Sequence, residues 1–216
     1  MERRMDPSED LEPISAAKKA ARKQLRKARA ERTPEERSRL NAILISNICE
    51  LLNHYKADLA TDKSVATAHT HLTVAAYDPL PNEPGGPELV ERLAQVCDTV
   101  WLPITEDNGR LSWTEFTGRE NMVLGAMGIK EPAGPRHTSE ILASCNVILV
   151  PAMGTNSAGQ RMGKGGGFYD RALERLSTPP LRVAVLFDGE IVPDLPMQPH
   201  DATMDCAVTP SGVTYF

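Results

Sequence analysis

Residues Asn146–Arg171 read NVILVPAMGTNSAGQRMGKGGGFYDR, and this stretch falls into three physically distinct parts. NVILVPA (146–152) is short, apolar and rich in β-branched residues, the pattern of a strand buried on both faces of a mostly parallel sheet. The last residues of the stretch open a helix or helical turn read from Tyr169 to Leu176. The loop between lies at the carboxyl end of a sheet strand, where open α/β folds bind ligands. Gly163, Gly165, Gly166 and Gly167 leave its backbone bare. Such a chain can take positive φ, approach a ligand closely and aim several N–H groups at one anion. The following helix turns the positive end of its dipole to the same place. Arg161 and Lys164 add two cations, and together these features describe a cradle for a polyphosphate. Neither familiar phosphate loop is present. Gly165 follows Lys164 where GxxxxGK[ST] requires Ser or Thr, and Phe168 falls where GxGxxG requires its third glycine. On spacing alone, a tight turn with Arg161 and Lys164 merely solvated stays open.

Working outward, HLTVAAY (71–77), TVWLPI (99–104) and RVAVLF (182–187) repeat the buried-strand pattern. Gly86 to Gln95 and Ser139 to Ser144 read as helices or helical turns between them, and NGRLSWTEF (108–116) as a hairpin turn and its return strand. Strands alternating with helices predict an α/β domain, a mostly parallel central sheet flanked by helices on both faces. Upstream, SAAKKAARKQLRKARAER is built from strong helix formers. Thr33-Pro34-Glu35-Glu36 starts a second helix, with Thr33 as N-cap and Pro34 at the first helical position. Apolar residues from Leu40 to Leu52 then recur at helical spacing, predicting a helix to about Tyr55. Residues 1–13, polar and holding two prolines, are expected to be disordered, and 14–216 to form a single domain.

The 216 residues, 41% hydrophobic and 25% charged, suit a globular protein with its own core. Apolar runs are too short to cross a bilayer, and no secretory signal follows the first arginines, so the expected location is cytoplasmic with no membrane partner. The four cysteines are widely spaced without a CxxC pair, which predicts buried thiols rather than disulfides or a thiolate metal site. His69 and His71 lack a third ligand nearby and are read as a strand entrance. The net charge of −5 conceals a strongly basic stretch from Lys18 to Arg39. A basic arm can bind nucleic acid, but the acidic remainder and the lack of interleaved aromatics point to no nucleic-acid partner.

The run R-x-G-x-G-x-G-[YF]-Y-D, preceded by VP and a short glycine-containing loop, resembles the signature of the 5-formyltetrahydrofolate cyclo-ligase (methenyltetrahydrofolate synthetase) family. Further matches follow in the family's order: Lys18 and Arg22 as K-x-x-x-R, Glu83 in YDPLPNEP, Glu131-Pro132 in GIKEP, and Asp201 and Asp205 in LPMQPHDATMDCAVT. The resemblance spans about Ile14 to Val213. It implies the NagB/RpiA/CoA-transferase-like fold, and a monomeric enzyme with two small-molecule substrates, 5-formyltetrahydrofolate and ATP. Under it, Lys18 and Arg22 reach the ATP phosphates, and Arg161, Met162, Gly163, Lys164, Gly165, Gly166, Gly167, Phe168 and Tyr169 form the nucleotide loop. Arg161, Lys164 and Tyr169 would be catalytic. Glu83, Lys164, Phe168 and Tyr169 would contact the folate, while Asp170 and Asp201 would bind Mg²⁺. Most of the other charges of the basic helix are read as a solvated face. This sequence departs from the pattern at Phe168, where many members have tyrosine, at Lys164, where relatives show tyrosine or arginine, and at Gly166, where some show lysine. Its segment from His54 to Ser64 is long for the family. A homologue that keeps the fold and binds folate or nucleotide without the reaction is the alternative reading.

Overall fold

The computed structural model describes residues 11–61, 71–125, 128–174, 176 and 180–216. Helices α1 (Leu11–Ala30) and α2 (Pro34–Thr61) open the chain. The strand-rich part then runs β1 (Thr73–Ala75), α3 (Leu89–Val96), β2 (Thr99–Thr105), β3 (Leu111–Glu115), β4 (Met122–Leu124), β5 (Lys130–Pro132) and β6 (Val147–Pro151). It closes with β7 (Gly154–Thr155), β8 (Arg161–Met162), α4 (Phe168–Leu173), β9 (Leu181–Val185), β10 (Cys206–Thr209) and β11 (Gly212–Tyr215). Seven strands form one sheet in the order β11-β10-β9-β6-β1-β2-β3. The five central strands are parallel, and β3 and β11 are antiparallel edges. The mostly parallel α/β sheet expected from the strand patterns is therefore present.

Alternation along each central strand feeds two cores, because successive side chains leave a sheet on opposite faces. Val147 and Leu149 join the layer under α2 and α3, with Leu44, Ile48, Leu52 and Leu93. Ile148 and Val150 face the other way, onto Trp113, Leu142, Ala172 and Leu173. Cys49, Cys97, Cys145 and Cys206 are free and buried in these layers, as their spacing predicted.

Several boundaries differ from the sequence reading. The helix of α2 runs on to Thr61, past Tyr55, into the segment that is long for the family. Its start is as anticipated, with the Glu36 amide donating to Thr33 Oγ1 at 3.1 Å. Helix α1 begins at Leu11, so Leu11–Pro13 are helical rather than disordered; the rest of the expected disordered segment lies outside the described residues, as does His69. The hairpin is present, β2 pairing with β3 through a turn at Gly109, whose φ is +74°. Residues 139–144 form a 3₁₀ helix, and α4 has only 6 residues. A helix so short aligns few peptide dipoles, which reduces the dipole contribution expected at the loop.

Strand order reverses between β1 and β6: the chain moves outward through β2 and β3 on one side, and through β9 and β10 on the other. Crevices in doubly wound sheets open at such a reversal. Here Tyr77 and Asp78 leave β1 beside Pro151 and Ala152 leaving β6.

Candidate functional site

Immediately beyond β6, the β7–β8 ribbon carries the chain back toward the glycine loop. Arg161 fixes the loop's base. Only 3% exposed, it donates from Nη1 to Pro151 O at 3.1 Å and from Nη2 to Asp170 Oδ1 at 2.5 Å. One guanidinium thus ties the end of β6 to the start of α4. Gly165 and Gly167 adopt φ of +110° and +67°, a region that other residues enter only at a cost. A Cβ at Gly167 would lie 2.6 Å from Arg171 Nη1.

Helix α1 covers this loop from outside the sheet. Lys18, Arg22, Arg26 and Arg29 recur at spacings of four, four and three, placing four cations on one face of the helix. Lys18 Nζ lies 2.6 Å from both oxygens of Asp201 and 3.2 Å from Gln198 Oε1. Arg22 Nε donates to Gly163 O at 2.9 Å, and Arg26 Nη2 to Lys164 O at 3.2 Å. Arg29 pairs with Glu190 through two bonds of 2.7 Å and donates to Ala152 O. Its burial against the guanidinium charge is outweighed by these contacts, which raise its pKa. Ala21 and Leu25 supply the apolar part of the contact, against Met153, Met162 and Leu195. Most of the remaining basic residues of the helix do face solvent, Lys19, Lys23 and Lys27 among them, with two that also serve the fold. Arg29 is 3% exposed, and Arg26 is bonded to the loop.

Two cavities meet at the loop. The larger, about 720 Å³, is polar and lined by Lys18, Arg22, Arg171, Arg182 and Gln198. The smaller, about 410 Å³, is mainly apolar, with Tyr77, Leu102, Leu111, Ile129 and Phe168 among its walls. Gly163, Gly167 and Asp170 line both, so the loop is the partition between them. Across the smaller cavity, Lys164 Nζ reaches Glu83 Oε1 at 2.6 Å, while Glu83 Oε2 accepts from the Leu80 amide at 2.8 Å. Glu83 is 8% exposed, so it is a wall of the cavity rather than a solvated loop carboxylate. Tyr169 packs edge-on to Trp113, and its hydroxyl is buried with no hydrogen-bond partner among the described residues. Burial, with Glu83 charge nearby, pushes its phenol well up, so it stays protonated and acts as a donor.

The structure thus gathers Arg161, Gly163, Lys164, Gly166, Gly167, Phe168, Tyr169, Asp170 and Glu83 around the smaller cavity. Lys18, Arg22, Gly165 and Asp201 stand around the larger. Met162 is a correction: it is fully buried in the apolar contact beneath α1 and lines neither cavity. Lys18 and Asp201 are placed in the wall as expected, but each holds the other. Asp201 Oδ2 also accepts from the Gln198 amide at 2.6 Å. Among the described residues no group of three or more His, Cys, Asp and Glu could hold a metal alone. Among the described residues Asp170 is bonded only through Oδ1, to Arg161 and the Ala202 amide. Its second oxygen would suit a hydrated Mg²⁺ that took most of its other ligands from outside the protein.

Sequence reasoning passed over Arg26, Arg171, Arg182 and Gln198, and gave Glu131 no role. The four-residue step from Arg22 to Arg26 is a signal that could have found Arg26. Arg171 ends the quoted motif and lies one helical turn beyond Gly167. Glu131 is 5% exposed in the smaller cavity and accepts from the Thr105 amide at 2.8 Å. Only the tertiary fold brings it there.

The geometry can be set beside known proteins. Residues 14–210 match the model of the 5-formyltetrahydrofolate cyclo-ligase family. A 5-formyltetrahydrofolate cyclo-ligase of Mycolicibacterium smegmatis is 30% identical, the match covering 82% of this chain and 95% of that protein. One of Escherichia coli is also 30% identical, over 72% of this chain and 85% of its own length. The NMR structure of an Aquifex aeolicus 5,10-methenyltetrahydrofolate synthetase superposes with a TM-score of 0.73 at 28% identity, covering 92% of each chain. A Mycoplasma pneumoniae 5,10-methenyltetrahydrofolate synthetase shares the fold at 20% identity, with a TM-score of 0.64.

Proposed function

This chain belongs to the 5-formyltetrahydrofolate cyclo-ligase family, and from that premise we propose how its two cavities carry out one reaction. The protein is a ligase that converts 5-formyltetrahydrofolate to 5,10-methenyltetrahydrofolate, with ATP as co-substrate. The triphosphate lies in the larger, basic cavity and the formylated pterin in the smaller, apolar one. The observation that carries this reading is the sharing of Gly163, Gly167 and Asp170 by both cavities. A partition one loop thick lets the γ-phosphoryl group and the formyl oxygen meet.

The N5-formyl group is an amide, so its carbon is a poor electrophile and its oxygen a poor leaving group. The formyl oxygen attacks the γ-phosphorus and ADP departs. N10 then attacks the activated carbon and loses its proton, and the C–O bond breaks to release phosphate and leave the methenyl bridge. No protein nucleophile is required. The protein's work is alignment and neutralisation of charge. Arg161 and Lys164 flank the loop where the phosphoryl group crosses. The unpartnered Tyr169 hydroxyl donates to a substrate oxygen. Glu83 and Glu131 offer acceptors to the pterin N–H groups, and Phe168 supplies a face for its ring. Mg²⁺ arriving with the triphosphate would be held through Asp170 and would neutralise phosphate charge. Asp201 becomes available to it once Lys18 turns to phosphate.

The rest of the expected setting belongs to the same reading: one domain over residues 14–216, working as a monomer in the cytoplasm. Free, buried thiols suit a reducing compartment, and no described helix is long and apolar enough to cross a membrane. The basic helix needs no nucleic acid, since Lys18, Arg22, Arg26 and Arg29 are all engaged within the chain. The test is to mix the protein with 5-formyltetrahydrofolate, Mg²⁺ and ATP and follow methenyl absorbance in the near ultraviolet. ATP-dependent appearance of the chromophore is expected. ADP release without it would mean another acceptor, and neither signal would leave the homologue that only binds.

A further inference from the structure

Three carbonyls of the glycine loop are each taken by an arginine from outside it. Arg22 Nε holds Gly163 O at 2.9 Å, Arg26 Nη2 holds Lys164 O at 3.2 Å, and Arg171 Nη2 holds Gly166 O at 2.8 Å. Arg171 is itself fixed. Its Nε donates to Gly109 O at 3.1 Å, its Nη2 bonds the same carbonyl, and its guanidinium lies 5.5 Å from the Phe168 ring centroid. A trans peptide is planar, so its C=O and the next residue's N–H point in opposite directions. Holding those three oxygens therefore turns the N–H groups of Lys164, Gly165 and Gly167 away from the arginines. None of these three amides has an acceptor among the described residues. A glycine-rich loop left to itself can rotate either end of each peptide toward a ligand. Carbonyl oxygens facing a phosphoryl group would repel it.

We propose that Arg171 and Arg26 are positioning residues of this reaction: they hold the loop's carbonyls outward so that its amides, together with those set by Arg22, face the transferring phosphoryl group. The proposal rests on the function argued above. It assigns a purpose to two arginines whose bonds go to the loop itself, Arg171 in the wall of the larger cavity and Arg26 on its outer side, while Arg22 keeps both terminal nitrogens for phosphate. Arg171 also ties the loop to the β2–β3 turn, so the wall of the smaller cavity and the loop are set by one side chain.

The test compares wild type with Arg171→Ala, Arg171→Lys and Arg26→Ala in the full chain. Loss of a preorganised amide donor costs on the order of 10²-fold in turnover. Arg171→Ala should accordingly lower kcat about tenfold to a hundredfold, with KM for 5-formyltetrahydrofolate changed by no more than about twofold. Added guanidinium ion should restore part of that loss, and Arg171→Lys should recover less, since an ammonium lacks the planar fork. Arg26→Ala removes one exposed bond, leaves folding intact and should lower kcat several-fold. In wild type, the amide resonances of Lys164, Gly165 and Gly167 should shift when a non-hydrolysable Mg-ATP analogue is added, and that shift should shrink in Arg171→Ala. Folded variants with wild-type turnover and unchanged amide shifts would overturn the proposal. So would a loss spread equally over both substrates that guanidinium does not relieve. A wild-type protein that forms no methenyl product would instead refute the function itself.

Discussion

Lys18 Nζ sits 2.6 Å from each carboxylate oxygen of Asp201, and the two side chains are only 5% and 6% exposed. The pair joins the first helix to the loop before β10, across 183 residues. Burying such a pair is a weak source of stability, because desolvation offsets much of the attraction. Its position explains its presence better. Both groups line the larger cavity, where, under the proposed function, Mg-ATP would bring an anion for the lysine and a cation for the aspartate. On that reading the site keeps its two charges closed on each other, and substrate would exchange the partners.

Removing either partner leaves the other charged and buried. Lys18→Met and Asp201→Asn should each lower unfolding free energy by about 3–5 kcal/mol, read from urea transitions. The double variant Lys18→Met/Asp201→Leu should recover most of that loss, yet fail to gain the thermal stabilisation that Mg-ATP gives wild type. Single variants as stable as wild type would show that the pair is solvated.

Tyr169 gives the opposite separation of stability from activity. Its ring is held against Trp113, 6.1 Å between centroids, with Arg161 Cζ 5.8 Å from the ring centre. Its buried hydroxyl contributes no bond among the described residues. Deleting an unsatisfied buried donor removes a desolvation penalty. Tyr169→Phe should therefore melt at or slightly above the wild-type temperature, while kcat falls about tenfold or more. A variant that is less stable but fully active would place the hydroxyl in the fold instead of the reaction.

The sheet was legible because its strands carry dense local information. VILVP and the VAV of β9 are apolar on both faces, and each lies in the middle of the parallel sheet. The glycine loop was legible as well, since Gly165 and Gly167 do take positive φ. What stayed hidden depends on distant partners. Nothing local distinguishes Arg29, buried on Glu190, from Lys27, exposed beside Glu31. Met162 lies inside the motif, but the side on which it packs is decided by Met153 and Leu195. Glu131 enters the smaller cavity only because β5 folds back beside β2.

Lys164 and Glu83 form the ion pair across the smaller cavity, and its two ends are unlike: the lysine side chain is 48% exposed and the carboxylate 10%. Water screens the lysine end, but its loss leaves a largely buried carboxylate, so Lys164→Ala should lower unfolding free energy by about 1–3 kcal/mol. Turnover should nevertheless fall about tenfold to a hundredfold, as expected when a cation near a transferring phosphoryl is lost. Glu83→Gln keeps an oxygen for the Leu80 amide but loses the charge. It should raise KM for 5-formyltetrahydrofolate well above any change in KM for ATP. Steady-state kinetics with each substrate varied in turn separates the two effects, and equal changes in both KM values would count against a folate contact at Glu83.

Alkaline pH should loosen the fold through its thiols. Burial pushes the Cys97, Cys145 and Cys206 thiols up to about 12, against about 8.5 in an unfolded chain. Between those values the unfolded state has lost protons that the native state keeps. The number bound by the unfolded chain minus that bound by the native chain is then negative, so unfolding free energy declines as pH rises. The stability is whole below about pH 8.5 and is lost progressively toward pH 12. The same shift starves the native thiols of thiolate at pH 8. Iodoacetamide should leave the folded protein unmodified there over minutes, and label all four cysteines in urea. Mass spectrometry reads the count directly. Rapid labelling of Cys97, Cys145 or Cys206 in the folded protein would mean that the layer around that thiol opens to solvent.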